Sequence, residues 1–118
     1  MITNKHEQII SDLLQATSEG KIEWQASQVE NEFYTMVGDY RISIYKLLDD
    51  GAFQVVFPDT VCAEMSFIDS NGDTFDHIST TTTKSADYQR LSQLHDAARR
   101  SSTGADKKLN DIISILQK

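Results

Sequence analysis

Cys62, His77 and Asp76 are the residues of this 118-residue chain whose types best suit nucleophilic catalysis. Together they could supply a thiolate, its general base and a carboxylate that orients the base. Their spacing does not bring them together, however. A single cysteine on a strand is most often a small buried hydrophobic residue, and alternation places His77 on the same face as Phe75 and Ser79. We therefore expect no catalytic residue and no enzymatic activity.

His95 and Asp96 are neighbours in a predicted helix, and an imidazole beside a carboxylate suggests acid–base chemistry. Adjacent helical residues point about 100° apart, so the two side chains do not form a dyad. We instead expect His95 to complete the apolar stripe of its helix. His6, in the first turn of an earlier helix, is expected to be solvated.

Asp69, Asn71 and Asp73 alternate as the first oxygen ligands of a calcium loop do. An EF-hand loop also requires glycine at its sixth position and glutamate at its twelfth, and this segment has Gly72 at the fourth and Thr80 at the twelfth. A hairpin turn that needs positive φ explains the Asn-Gly pair better. No metal or cofactor is predicted.

Basic residues form one cluster near the end of the chain. Positive charge near a helix C-terminus is favoured by the helix dipole, which explains part of the cluster. The alternative is a contact surface for an acidic partner, a second copy's sheet among them. The candidate interaction surface therefore consists of Arg90, Arg99, Arg100, Lys107 and Lys108.

Charge is distributed unevenly along the chain. Residues 1–83 hold 4 Lys or Arg and 14 Asp or Glu, a balance of −10, and residues 84–118 hold 7 and 4, a balance of +3, which together give the net −7. An acidic body argues against nucleic-acid binding, because nucleic-acid binders cluster Lys and Arg against phosphates. The asymmetry hints at electrostatic steering of a partner.

The composition is that of one globular domain, residues 1–118, with 39% hydrophobic and 25% charged residues. Its single cysteine cannot form an internal disulfide, and the first residues lack the apolar core of a signal peptide. No stretch approaches the roughly 20 apolar residues that span a bilayer. We expect a soluble, cytoplasmic protein without membrane contact.

Periodicity predicts the elements that position these residues. A helix is expected from Lys5 to Ser18 with Asn4 and Glu7 as its capping box. Ile22 and Trp24 alternate with polar residues over 21–25, which predicts a first strand with Trp24 as an aromatic anchor. Further strands and then two helices follow. The first of these two helices is capped by Ser85 or Asp87, and the second by a Thr103–Asp106 capping box. The predicted strands are Glu32–Val37, Tyr40–Leu47, Phe53–Phe57, Val61–Ile68 and Thr74–Ser79, and the last helix is Ala105–Gln117.

Strands grouped between helices indicate an α+β fold. We predict an antiparallel meander of five or six strands, with one N-terminal helix and two C-terminal helices packed on one face. Leu109, Ile112, Ile113 and Leu116 form an amphipathic stripe on the last helix, which would either seal the core or serve a dimer.

The segments LLQATSEGKIEW, YQRLSQLHDAARRSS and ADKKLNDIISIL resemble those of a family of small uncharacterised bacterial proteins. That family has an N-terminal helix, a Gly-Lys-x-x-Trp first strand, a β-meander and a C-terminal helical pair with an Ala-Arg-Arg segment. Gly20, Lys21 and Trp24 match the first motif, and Ala98, Arg99 and Arg100 match the last. The resemblance implies this fold and a bacterial cytosolic origin, and it transfers no catalytic residue.

These observations favour a non-enzymatic protein-interaction domain that binds a protein partner or itself, as a homodimer. The alternative is a small acidic chaperone or immunity-type protein that holds a basic client.

Overall fold

A computed structural model of the chain describes residues 2–47 and 59–118. It confirms the α+β class, with one N-terminal helix, an antiparallel sheet and two C-terminal helices. The helices are α1 (Asn4–Ser18), α2 (Ala86–Thr103) and α3 (Ala105–Leu116). The strands are β1 (Gln25–Ala26), β2 (Glu32–Val37), β3 (Tyr40–Lys46), β4 (Ala63–Ile68) and β5 (Thr74–Thr80).

The described strands form a meander in the order β1-β2-β3-β4-β5, as the sequence predicts, and every neighbouring pair is antiparallel. Ile42 of β3 lies opposite Thr35 of β2 and Phe67 of β4, so these three side chains share one face of the sheet. The predicted strand Phe53–Phe57 lies outside the described residues.

Helix α1 begins one residue earlier than predicted. Thr3, not Asn4, is the N-cap: its hydroxyl accepts a hydrogen bond from the backbone N–H of His6 at 3.2 Å, and its own N–H donates to Nδ1 of His6 at 3.2 Å. The imidazole takes the place that glutamate usually has in a capping box. The prediction that paired Asn4 with Glu7 is therefore wrong.

Trp24 is buried as predicted, at 2% exposure, but it lies outside the strands. Helix side chains satisfy its polar groups: its backbone N–H donates to the hydroxyl of Ser101 at 3.1 Å, and its indole N–H donates to that of Thr17 at 2.9 Å. The carbonyl of Glu23 accepts from the hydroxyl of Thr35 at 2.8 Å. Because these side chains replace a strand partner, the sheet starts only at Gln25.

Helices α1 and α2 contact each other, and their buried side chains pack with those of one sheet face in a common core. The core lies between these two layers, and Leu91, Leu94, His95 and Ala98 of α2 are all buried in it, as the apolar stripe predicts. The other core residues are Ile10, Leu13, Trp24, Ile42, Ile44, Ala63, Met65, Phe67 and Ile78.

Helix α2 begins at one of its two predicted caps and ends at a glycine. The hydroxyl of Ser85 accepts from the backbone N–H of Tyr88 at 3.0 Å. Gly104, with φ of 65°, closes α2 in the left-handed conformation and is also the residue before α3. Thr103 is still helical, and its hydroxyl donates to the carbonyl of Arg100 at 3.2 Å. The predicted Thr103–Asp106 capping box is therefore wrong.

Candidate functional site

Helix α3 carries an apolar stripe that the chain does not bury. None of its residues is buried, although it is the most amphipathic of the three described helices. We call the exposed aliphatic residues of this helix the α3 stripe; their exposure runs from 49% at Leu109 to 78% at Leu116. The members of the α3 stripe are Leu109, Ile112, Ile113, Ile115 and Leu116. The sequence left open whether the stripe seals the core, and in the structure it does not.

The connection between α2 and α3 holds α3 away from the sheet. Gly104 is its only residue, and the guanidinium of Arg100 spans it to reach the Asp106 carboxylate at 2.5 Å. Among the described elements, α2 is the one that α3 contacts appreciably. The chain has a radius of gyration of 15.6 Å and a longest extent of 52 Å, whereas a compact chain of this length has a radius near 13.5 Å, by about 2.2·N^0.38.

A second apolar surface lies at the other side of α1. A groove of about 720 Å³ runs between α1 and the end of the sheet where β2 turns into β3. Its volume falls within the roughly 300–1,000 Å³ typical of ligand pockets. Apart from two aspartates it is lined by apolar and aromatic side chains. We call it the α1 groove; its lining residues are Ile9, Asp12, Leu13, Ala16, Ile22, Val37, Tyr40, Ile42, Phe67, Asp69 and Phe75.

Aromatic rings close the sheet end of the α1 groove. Phe75 lies edge-on to Tyr40, with ring centroids 5.7 Å apart, and 6.2 Å from the ring of Phe67. Phe75 is 57% exposed and Tyr40 53%. Exposed aromatic side chains of this kind are enriched at protein interfaces.

A β-bulge brings Phe75 into the groove. Phe67 pairs with Asp76 and Ile68 with Thr74, which leaves Phe75 as the extra residue of β5. A bulge redirects a side chain, and strict alternation therefore fails here. The expectation that Phe75 shares a face with His77 does not hold, because Phe75 lines the groove on the helix side, whereas His77 lies opposite Ser66.

The rim of the α1 groove is acidic. Asp12 and Asp69 lie in the groove wall, and Asp39 lines a depression that continues past Tyr40. None of the described residues that line either cavity is Lys or Arg. Helix α3 holds two lysines and two aspartates, and one of the aspartates, Asp106, is paired with Arg100. The acidic rim is thus complementary to a lysine at the edge of the α3 stripe rather than to the whole helix.

The predicted basic cluster divides into two parts. Arg90 joins α2 to α1: its guanidinium contacts the carboxylate of Glu7 and donates to the hydroxyl of Ser11 at 2.8 Å. Arg100 is paired with Asp106 as described above. Arg99, Lys107 and Lys108 are exposed. Lys108 lies on α3 one turn before Ile112 and therefore flanks the α3 stripe.

Cys62, His77 and Asp76 do not form a catalytic group. Cys62 is buried at one end of β4, and His77 lies opposite Ser66, four residues further along that strand. At about 3.3 Å per residue the two are roughly 13 Å apart, beyond hydrogen-bond reach.

Asp76 is paired with His6 instead. Since Nδ1 of His6 accepts from the N–H of Thr3, its Nε2 carries the proton and donates to Asp76 at 2.7 Å. This bond holds the pKa of Asp76 below its usual range. His6 also stacks on Phe67, with centroids 5.6 Å apart. The expectation that His6 is solvated is wrong: the side chain is half-buried and connects the start of α1 to β5.

His95 is a buried member of the apolar stripe of α2, as predicted, with 1% exposure. Its Nε2–H donates to the carbonyl of Asn31 at 2.9 Å, and its Nδ1 is buried without a partner. Burial lowers the pKa of His95, and the positive charges of Lys46 and Arg99 act in the same direction. The imidazole is therefore held in its neutral form.

The segment with calcium-loop spacing is a hairpin turn. One carboxylate oxygen of Asp69 accepts the backbone N–H groups of Asn71 and Asp73, at 3.0 and 3.1 Å, and Gly72 has φ of 83°. In residues 2–47 and 59–118 no group of three or more His, Cys, Asp or Glu side chains is placed to hold a metal ion. Over the same residues, none of the helices has both the length and the apolar content needed to cross a bilayer.

Comparison with known proteins adds no family. No family model matches the chain, and neither a curated protein nor a solved structure matches it. The resemblance to small bacterial proteins stays a prediction, and among residues 2–47 and 59–118 the α3 stripe and the α1 groove are the surfaces on which a functional proposal can rest.

Proposed function

We propose that this protein is a non-enzymatic interaction domain that associates with itself, and that α3 supplies the contact. The observation that carries this proposal is the α3 stripe, five aliphatic side chains that are half to three-quarters exposed on a helix without a buried residue. Monomeric proteins rarely expose contiguous apolar patches larger than a few hundred Å².

The energy of the exposed stripe supports a contact. Its five side chains expose about as much surface as three complete aliphatic side chains, and covering them would contribute roughly 5–9 kcal/mol, from which the cost of association is subtracted. A helix of 12 residues is also marginal in water without packing, because most helical stability comes from burial of its apolar face. A partner that covers the stripe would bury its apolar surface and would also stabilise the helix.

Sedimentation velocity of the full-length chain, over a wide range of concentration, tests the proposal. We expect a monomer–dimer equilibrium that the double substitution Leu109→Asp/Ile113→Asp abolishes, because two charges would enter the apolar contact. The matched control is Asn110→Asp/Ser114→Asp, which adds the same charge to the opposite side of the same helix. A wild-type chain that stays monomeric at the highest concentration, or a control that dissociates equally, would contradict the proposal.

The acidic rim of the α1 groove favours a second candidate, an acidic chaperone or immunity-type protein that holds a basic amphipathic client segment. This candidate requires a monomer that binds a lysine-rich amphipathic peptide, with an affinity that falls as salt is raised. A dimer whose association survives 0.5 M salt, roughly the range in which exposed charge pairs are screened, favours self-association instead. The buried thiol of Cys62 supports a reducing compartment, and we propose the cytoplasm.

A further inference from the structure

We infer that the assembly is a reciprocal dimer, in which the α3 stripe of each copy docks in the α1 groove of the other. This inference rests on the proposed self-association and goes further, because it names the receiving surface. In the part of the chain that the structure describes, α3 is an uncovered apolar helix and the α1 groove an uncovered apolar cavity. An amphipathic helix in an apolar groove is a recurrent mode of protein recognition.

Charge favours contact between the α3 stripe and the α1 groove. Lys108 flanks the α3 stripe, and the groove wall carries Asp12 and Asp69, with Asp39 beyond Tyr40. A docked α3 therefore brings Lys108 to an aspartate rim. Side-by-side pairing of two α3 helices would instead leave the aspartates of the rim without a basic partner and the exposed rings of Tyr40 and Phe75 uncovered.

The connection at Gly104 selects a second copy over the chain's own α3. With one residue between α2 and α3 and the Arg100–Asp106 pair across it, α3 cannot turn back across α1 without loss of the end of α2. Short hinges of this kind favour exchange between copies. Each copy offers one helix and accepts one, and when a two-fold axis relates the two contacts the assembly closes as a dimer.

The area requirement also favours two contacts. Stable interfaces bury about 800 Å² on each partner, whereas one stripe of five side chains supplies only a few hundred Å². In the reciprocal arrangement each copy contributes both its stripe and its groove to the interface.

The test uses a groove variant with a matched control. Val37→Asp places a carboxylate in the groove wall, and Val37 is already 42% exposed, so the fold should tolerate the change. We expect the dimer Kd to rise at least 100-fold, because a charge would be buried in an apolar contact. Met36→Asp is the control: it is the preceding residue, 51% exposed and on the opposite face of β2, and it should change the Kd less than threefold. Phe75→Asp is the second groove variant, in case the first fails to fold.

Mixing two defective chains completes the test. The Leu109→Asp/Ile113→Asp chain keeps its groove, and the Val37→Asp chain keeps its helix. Neither should form a homodimer at the concentration at which the wild type does. An equimolar mixture should give a heterodimer in native mass spectrometry through its one intact contact, weaker than the wild-type dimer and stronger than either variant homodimer.

Each other outcome overturns a specific step. A Val37→Asp chain that still dimerises, with no heterodimer in the mixture, refutes the groove as receptor but leaves self-association standing. A wild-type chain that is monomeric at every concentration refutes both proposals. The occupant of the groove would then be something other than a second copy, namely the chain's own α3, a basic client or a small apolar ligand.

Discussion

Replacement of Ile112 by alanine separates a contact role of α3 from a structural one. The substitution removes three carbon groups, each worth about 0.8 kcal/mol when fully buried. Ile112 is 52% exposed in the single chain, so docking would bury about half of the side chain and the loss is about 1.2 kcal/mol per contact. A reciprocal dimer has two such contacts, and the loss of about 2.5 kcal/mol raises its Kd about 60-fold.

The same substitution should leave the folded monomer almost unchanged, within about 0.5 kcal/mol, because Ile112 contributes nothing to the core. Leu91→Ala is the contrasting core variant: Leu91 is fully buried, and its truncation should lower the free energy of unfolding by about 2–5 kcal/mol. Sedimentation equilibrium gives the Kd, and urea unfolding at a concentration well below it gives the monomer's stability. A Kd that changes less than threefold for Ile112→Ala, or an unfolding free energy that falls as far as that of Leu91→Ala, would refute the reasoning.

Three further predictions concern charge, pH and the core. Lys108→Glu should weaken the dimer several-fold at low salt, and a second substitution, Asp12→Lys, should restore its Kd in sedimentation experiments. A double variant that dimerises more weakly than Lys108→Glu alone would argue against a contact between residues 108 and 12. Burial lowers the pKa of His95 from 6.5 in the folded chain. The stability that neutral His95 contributes should therefore be complete above pH 6.5. It should be lost as the pH falls from there toward the lower pKa of the folded state, because the unfolded chain then binds the proton more readily. His95→Gln should flatten that slope in urea titrations from pH 8 to 5, and an unchanged slope would assign it to other groups. Trp24→Phe should lower the free energy of unfolding by about 1 kcal/mol or more, since the phenyl ring loses the hydrogen bond to Thr17, and an unchanged unfolding midpoint would show that this bond is unimportant.

The arrangement of the described elements follows from local patterns in the sequence. Alternation at Ala63, Met65 and Phe67 places these side chains in the core, and the 3.6-residue period of α2 does the same for Leu91 and Leu94. The caps are less predictable, because several neighbouring polar residues can fill them: Thr3 replaces Asn4 since His6 is able to complete the capping box. Such alternatives differ by about 1 kcal/mol.

The two proposed surfaces differ in how far the sequence predicts them. The apolar period of α3 is plain from Leu109 to Leu116, but a period does not say what it packs against. The α1 groove has no sequence signal at all, because it joins residues far apart in the chain and depends on the bulge that redirects Phe75. The basic cluster was predicted from proximity in sequence, and Arg90 instead bridges α1 and α2.

Because α3 adds no residue to the core, a chain can complete its folding before it meets another. The meander and the neighbouring contacts of its strands give a topology of mostly local pairing, which folds quickly. Refolding should then have two separable phases, a fast one whose rate is independent of protein concentration and a slower, second-order one that covers the terminal helices. Between these phases, newly made chains would expose the α3 stripe to water. Their tendency to aggregate should therefore rise with the concentration of unassembled copies.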